Sequence, residues 1–287
     1  MSEKFDLYEH VTGLILAEMA KGNIPWIKPW AGKDAIPRNW ISKRPYNGMN
    51  ALLLYLMPYG CPFYATYRQI QTMGASVKSG EKAHIVVYWN FSKVFDKELG
   101  KEKTIPFLKY YYVFNLEQTT AEWNRETPKN DFHPIAEAEK VFTNYTERES
   151  IPVIYGGNGA FYSPSADNIH LPLRESFVTS EHFYATAFHE SAHSTGHKKR
   201  LAREDMAKIA AMGDASYSRE ELTAELASAF LCAHCGIDNT NLIRNSAAYI
   251  ENWSRKMRED KRLIVTASGK AAKAVSFILG ERSDTEE

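Results

Sequence analysis

Cysteine is scarce: Cys61, Cys232 and Cys235 are the only three in 287 residues. An odd, small number in a chain of this length excludes a disulfide framework and fits a reducing compartment. There is no run of roughly 18 apolar residues, which excludes a helix that crosses a bilayer. The opening MSEKFDLYEH lacks the basic start, apolar stretch and small-residue cleavage site of a secretory leader, so the expectation is a cytoplasmic protein with no membrane partner. Neither sign of charge is in excess, with 35 basic and 35 acidic side chains, so the whole chain does not announce a polyanionic ligand. No internal repeat or low-complexity tract is present. What is there, 44% hydrophobic and 24% charged, is a globular composition with room for two modest domains.

The neutral total conceals a separation. Residues 1–130 hold 17 basic and 12 acidic side chains, a net +5, and the remainder is −5. Within 24–109 the balance reaches +8, and 24–114 carry 18 of the 36 aromatic residues. A basic, aromatic N-terminal module (1–125) followed by a mildly acidic one (126–287) is the expected organisation. The polar stretch TTAEWNRETPKNDFHP at 119–134 lies at the boundary.

In the first module, Leu7, Val11, Ile15, Leu16 and Met19 recur at helical spacing and predict a helix over 5–21 that Gly22-Asn23 ends. Residues 50–57 and 66–73 read as short helices, and 84–91 and 108–116 as strands. In the second, 135–148 predicts a helix. Residues 152–155 and 160–172 predict strands, the latter folded back at Ser-Pro-Ser-Ala-Asp, and long helices follow at 181–195, 218–234 and 244–280, the last broken near Asp260. Both modules are α+β.

His189-Glu190-Ser191-Ala192-His193 is an H-E-x-x-H pentad within a helical run. Positions i and i+4 lie about 6 Å apart along the axis and on one face, so both imidazoles can reach one cation. Neutral imidazole suits Zn²⁺, and the intervening Glu190 falls where it can take a proton from water. A third ligand is needed. The metzincin pattern would place a histidine at 199, which is Lys199, and His197 falls past Gly196, the expected helix end, as a supporting residue. The helix SREELTAELASAFLCAH offers Glu221 and Glu225 one turn apart, in the manner of gluzincins. One of them binds the metal and the other orients a ligand histidine. Glu225 is favoured because small Ala224 and Ser228 flank it and let the helices approach. The expected reaction is amide hydrolysis, with Zn²⁺ or another divalent metal such as Mn²⁺ as cofactor and an unknown peptide or protein as substrate. Tyr162, His170 and Tyr217 are candidate oxyanion donors, and 160–172 is a candidate edge strand for an extended peptide. Cys232 and Cys235 read as buried core residues, without the second Cys pair of a structural zinc site.

Trp26, Lys28, Trp30, Arg38, Trp40, Lys43, Arg44 and Tyr46 interleave rings and cations, and Tyr110-Tyr111-Tyr112 adds further rings. Unpaired bases stack on rings while phosphates meet Lys and Arg, so single-stranded DNA is the expected partner, bound without sequence readout.

PWIKPW, RPYNGMN, GASVKSGEKAHIVVYW and YYYVFNLEQ resemble the N-terminal domain of ArdC-type antirestriction proteins. FHESAHSTGHKKRL, YSREELTAELASAFLCA and AAYIENWSRKMREDKRLIVTASGKA resemble the zincin-like metallopeptidase domain that follows it in that family. The resemblance implies a protein of plasmids and other mobile elements that shields incoming DNA from host restriction. By position it also implies roles for His189, Glu190, His193 and a Glu of EELTAEL. Ser194 stands where relatives commonly carry an aromatic residue, a change expected to reshape the cleft wall. The competing reading is a DNA-coating protein whose metal site is structural or inactive; a metal-dependent nuclease is a third.

Overall fold

A computed structural model describes residues 6–22, 24–26, 36–96, 101–123, 134–209, 215–238 and 247–281. The chain divides into two compact units, one of Met1–Val11 with Pro37–Thr127 and one of Thr12–Ile36 with Pro128–Glu287. Thr12–Ile36 thus groups with the second unit. Helix α1 (Leu7–Ala20) buries Val11, Ile15 and Met19 at the helical repeat that the sequence displays. From Thr12 onwards it belongs with the second unit, where Thr12 Oγ1 donates to the Lys261 carbonyl at 2.7 Å.

The first unit is built on a four-stranded sheet of order β1-β2-β4-β3: β1 (Arg38–Asn39), β2 (Phe63–Ala65), β3 (His84–Asp96) and β4 (Lys101–Asn115). Helices α2 (Gly48–Tyr55) and α3 (Tyr67–Thr72) lie between the strands in sequence. Leu54, Tyr64, Val86 and Val113 form one buried cluster, and Cys61, Ala65, Ile70 and Leu116 another. Asn50 of α2 fastens β3: its amide donates to the Val87 carbonyl and accepts from the Val87 N–H, both at 2.7 Å. Helix α3 starts in a capping box between Thr66 and Gln69.

Strands β3 and β4 pair antiparallel from His84↔Val113 to Asp96↔Lys101, well beyond the expected ends at 91 and 108. Residues 92–107 are rich in charge and contain Pro106, which hides the apolar alternation. The proline is tolerated because β2 pairs with β4 only at Phe114 and Asn115, leaving the far stretch of β4 as an edge.

The second unit opens with α4 (Pro134–Arg148), followed by a three-stranded sheet of order β5-β7-β6: β5 (Val153–Tyr155), β6 (Phe161–Ser163) and β7 (Asn168–Leu171). Then come α5 (Ser180–Thr195), α6 (Glu204–Ile209), α7 (Ala215–Cys235), α8 (Ala247–Glu259) and α9 (Leu263–Leu279). Phe142, Tyr145, Ile169, Leu171, Phe183, Phe188 and Leu231 lead its core, which includes Cys232 and Cys235. Burial pushes the Cys232 thiol up to about 12, as suits an inert core residue. Strand β7 pairs on both sides, so within 160–172 only β6 is an edge. Among the described residues no helix is long and apolar enough to cross a membrane.

Candidate metal centre

Helix α5 starts at Thr179, whose hydroxyl accepts from the His182 N–H, and ends at Gly196. Its middle is buried, and Ser228 Oγ of α7 donates to the Ala185 carbonyl at 2.7 Å, so small residues set a close approach of the two helices. One turn and more along this antiparallel crossing, His189 and His193 meet Glu221. His189 Nε2 and His193 Nε2 are 3.1 Å apart, and the Glu221 carboxylate oxygens lie 3.5 and 3.3 Å from them respectively.

Among the described residues these three form the group whose donor atoms all lie within 4.8 Å of one another. Two donors about 2.1 Å from one tetrahedral ion stand about 3.4 Å apart. The donor set therefore fits a divalent cation in chemistry and in spacing. Glu225 does not join it. Its Oε2 accepts from the Tyr249 hydroxyl of α8, and burial pushes its carboxyl up. The small residues that favoured Glu225 do bring the helices together, but the imidazoles face the turn before it.

A buried support lies behind His193. Glu220 Oε1 is 3.3 Å from His193 Nδ1, and the Arg203 guanidinium grips the same carboxylate with Nε at 2.9 Å from Oε2 and Nη2 on Oε1. Arg203 Nη2 also donates to the Ala192 carbonyl at 2.7 Å. Burial opposes ionisation of Glu220, yet its bonds from Arg203 and His193 bring it down to about 2. Burial likewise disfavours a charged His193, but hydrogen bonds to Glu220 and Glu221 outweigh it and push that imidazole up to about 9. Glu221 is held well below the carboxylate range against its own burial by His189 and His193. The sequence reading missed Glu220 and Arg203. Their only signal is charge at positions that later prove buried, which no periodicity reveals.

Glu190 is buried on the same helix, and burial raises its carboxyl, an effect that His189 and His193 partly offset. The Tyr162 main chain of β6 hydrogen-bonds it, which brings the edge strand beside the pentad. The Tyr162 hydroxyl is committed to Asp167 Oδ1 at 2.8 Å, and Arg200 binds both. His170 stacks on Phe161 at 4.3 Å. Tyr217 is on α7, and its side chain is not among those described. His197 Nδ1 is 3.6 Å from Asp167 Oδ2. Ser194 is fully buried against the Tyr145 hydroxyl of α4 at 2.7 Å, so it faces the core and not a cleft wall.

Trp26 is fully buried in the second unit, beside Glu225 and Tyr249, and offers no face for stacking. Lys28 and Trp30 lie outside the described residues. Arg38 sits on β1, and the Lys43 ammonium lies 3.1 Å from the Trp40 ring centroid, covering one face of that ring. Arg44 is exposed, and Tyr46 lies against Tyr111 of β4.

An H-E-x-x-H helix crossed by a helix that supplies a carboxylate, with an edge strand beside it, defines a zincin-like domain, and residues 136–270 match the zincin-like metallopeptidase family. Residues 5–114 match the family described as the N-terminal domain of anti-restriction factor ArdC. Two crystal structures of the antirestriction ArdC protein from plasmid R388 are similar over the whole length. The metal-free one has a TM-score of 0.74 at 34% identity and covers 96% of this chain and 97% of that one. The Mn(II)-bound one has a TM-score of 0.76 at 32% identity and covers 98% and 100%. Protein y4eC of Sinorhizobium fredii is 31% identical over 98% of this chain and 94% of its own length. DNA primase TraC of Escherichia coli is 32% identical over 96% of this chain, which spans only 27% of TraC. The chain belongs to the ArdC-type antirestriction family, with an ArdC N-terminal domain followed by a zincin-like one.

Proposed function

We propose that this protein shields incoming DNA of plasmids and other mobile elements from host restriction in the cytoplasm. In this reading residues 1–125 bind single-stranded DNA without sequence preference and residues 126–287 carry a zinc-dependent peptidase site. The observation that carries the peptidase half is the convergence of His189, His193 and Glu221 next to buried Glu190. His189, His193 and Glu221 would hold the ion; two imidazoles and a carboxylate suit Zn²⁺, and Mn²⁺ is the alternative that the R388 relative supports. When bound, such an ion supplies a Lewis acid for the scissile carbonyl and makes water more acidic.

The chain's own groups do the rest. Glu190, with its carboxyl raised by burial, is suited to take a proton from the attacking water and pass it to the departing amine nitrogen. Glu220 fixes the ring of His193 so that Nε2 faces the site. The free edge of β6 is suited to pair with an extended peptide beside Glu190. For the DNA half, support comes from the basic, ring-rich composition of 24–114 and from the ArdC N-terminal match; TraC, which contains a like module, is a primase.

The decisive experiment introduces Glu190→Ala and scores protection of a transferred plasmid in a restricting host. Loss of protection with DNA binding and metal content intact supports the peptidase. Full protection by the variant overturns the need for proteolysis and leaves a DNA-coating protein.

A further inference from the structure

Of the residues that the sequence offers for DNA, Trp26 is buried in the second unit, yet the first unit does carry a surface of rings. In the β3-β4 ladder, directly paired residues share a face, and alternate residues along each strand do too. One face therefore carries His84, Val86, Tyr88 and Asn90 from β3 and Phe107, Lys109, Tyr111 and Val113 from β4. At one end this face is core: Val86 and Val113 are buried with Leu54 of α2. Farther along, the described side chains on it are Tyr88, Asn90, Phe107, Lys109 and Tyr111, none of them aliphatic or acidic. Tyr88 is 43% exposed, Tyr111 38% and Phe107 37%. The Tyr88 and Tyr111 rings are 5.9 Å apart, and Lys109, paired directly with Tyr88, lies with its ammonium 5.4 Å from the Phe107 ring centroid.

We infer that this face, with Tyr88, Tyr111 and Phe107 as stacking platforms and Lys109 as a phosphate contact, is where single-stranded DNA docks. The inference rests on the DNA half of the function proposed above and gives it a location. Side chains two residues apart on a strand are about 6.8 Å apart, a pitch that separates successive bases enough for each to meet a ring. Exposed rings cost free energy in water unless a partner covers them. Here the rings are mainly phenolic, a cation lies among them, and Lys109 is the one charge among the described side chains of this stretch. The charge balance of +8 over residues 24–109 favours a polyanion. Tyr46, one of the sequence candidates, lies against Tyr111 and supports it from the buried Leu54, Tyr64, Val86 and Val113 cluster. The opposite face carries Tyr110 and Tyr112, whose rings pack edge to face at 5.6 Å, with Leu108 between strand ends and no cation from residues 107–114.

The test titrates the full chain into a labelled single-stranded oligothymidylate of about twenty nucleotides and follows anisotropy across a salt series. Tyr88→Ala and Tyr111→Ala are expected to weaken binding by about five- to a hundred-fold each, while Tyr88→Phe and Tyr111→Phe keep wild-type affinity. Retention by the Phe variants also shows that loss comes from the missing ring. Lys109→Gln is expected to lower the slope of log affinity against log salt by about 0.7. Wild-type affinity in the Ala variants overturns the assignment, as does loss confined to Tyr110→Ala and Tyr112→Ala. No binding by the wild-type chain overturns the DNA half of the proposed function and this location with it.

Discussion

Glu220 stands between Arg203 and His193, with its Oε1 3.3 Å from His193 Nδ1 and both oxygens held by the guanidinium. The carboxylate and the Arg203 side chain are almost completely buried. A buried pair of this kind is strongly coupled: removing one member leaves the other charge without compensation, which costs about 3–5 kcal/mol. Glu220→Ala is expected to show that loss in denaturant unfolding of the metal-free protein. Glu220→Gln, which keeps the volume, is expected to weaken metal binding about 10–100-fold by loosening the ring of His193. Unchanged metal affinity in the Gln variant would remove the orienting role.

The choice between Glu221 and Glu225 makes a second prediction. Glu221→Ala deletes a donor that lies 3.3 Å from His193 Nε2, whereas Glu225 is engaged with Tyr249. Loss of a carboxylate donor is expected to exceed the roughly 100-fold effect of outer partners. Metal content after dialysis, read by elemental analysis, is expected to vanish in Glu221→Ala and to persist in Glu225→Ala. The reverse pattern would restore the sequence preference.

The donor geometry falls one turn before Glu225 for a physical reason. Ala224 and Ser228 are small and buried, and Ser228 does touch α5, as their size suggests. Periodicity places Glu221 and Glu225 on one face but carries no information on where along α7 the pentad falls; that register is set by packing between helices far apart in sequence. The pentad itself was legible because its geometry is internal to one helix. Trp26 illustrates the complementary point: a ring two residues from Lys28 looks alike in sequence whether it faces solvent or, as here, is buried. Strands β1 and β2 were invisible: Arg38–Asn39 follows Pro37 in a loop-like, proline-rich run and Phe63–Ala65 follows Pro62, and neither shows an alternation.

Protons compete with the metal for His193. In the metal-free protein this imidazole is pushed up to about 9, so at neutral pH it holds a proton that an incoming ion must displace. Apparent metal affinity is expected to rise about tenfold per pH unit below that value and to level off above it. Stability of the metal-free protein moves in the opposite sense on that side. The contribution of His193 is complete below its ordinary 6.5 and is lost as pH rises through about 9. Glu220, lowered from 4.5 to about 2, contributes fully above 4.5 and loses its effect as pH falls through about 2. Metal-free protein is therefore expected to gain most from this pair between 4.5 and 6.5. Chelator competition and urea unfolding across pH check the two arms; affinity that is flat below 9 would show that His193 is already neutral.

Gly196 ends α5 in a helical conformation, with φ of −73°, so a side chain there meets no backbone strain. On conformational grounds Gly196→Ala should stabilise by about 0.4–1 kcal/mol through the unfolded chain. Packing predicts the opposite sign. A Cβ at this position would stand 2.9 Å from Arg203 Nη2 and 3.1 Å from its Cζ, and the guanidinium is fixed by Glu220, Thr195 and the Ala192 carbonyl, so it cannot swing aside without breaking buried bonds. Overpacking of this kind costs about 1–3 kcal/mol. The variant is expected to unfold at lower urea than the wild type and, because the displaced guanidinium would draw Glu220 away from His193, to bind metal more weakly as well. Both effects should appear together. A stabilised variant with unchanged metal affinity would mean that the Arg203 side chain has room to move and that Glu220 holds the imidazole without its help.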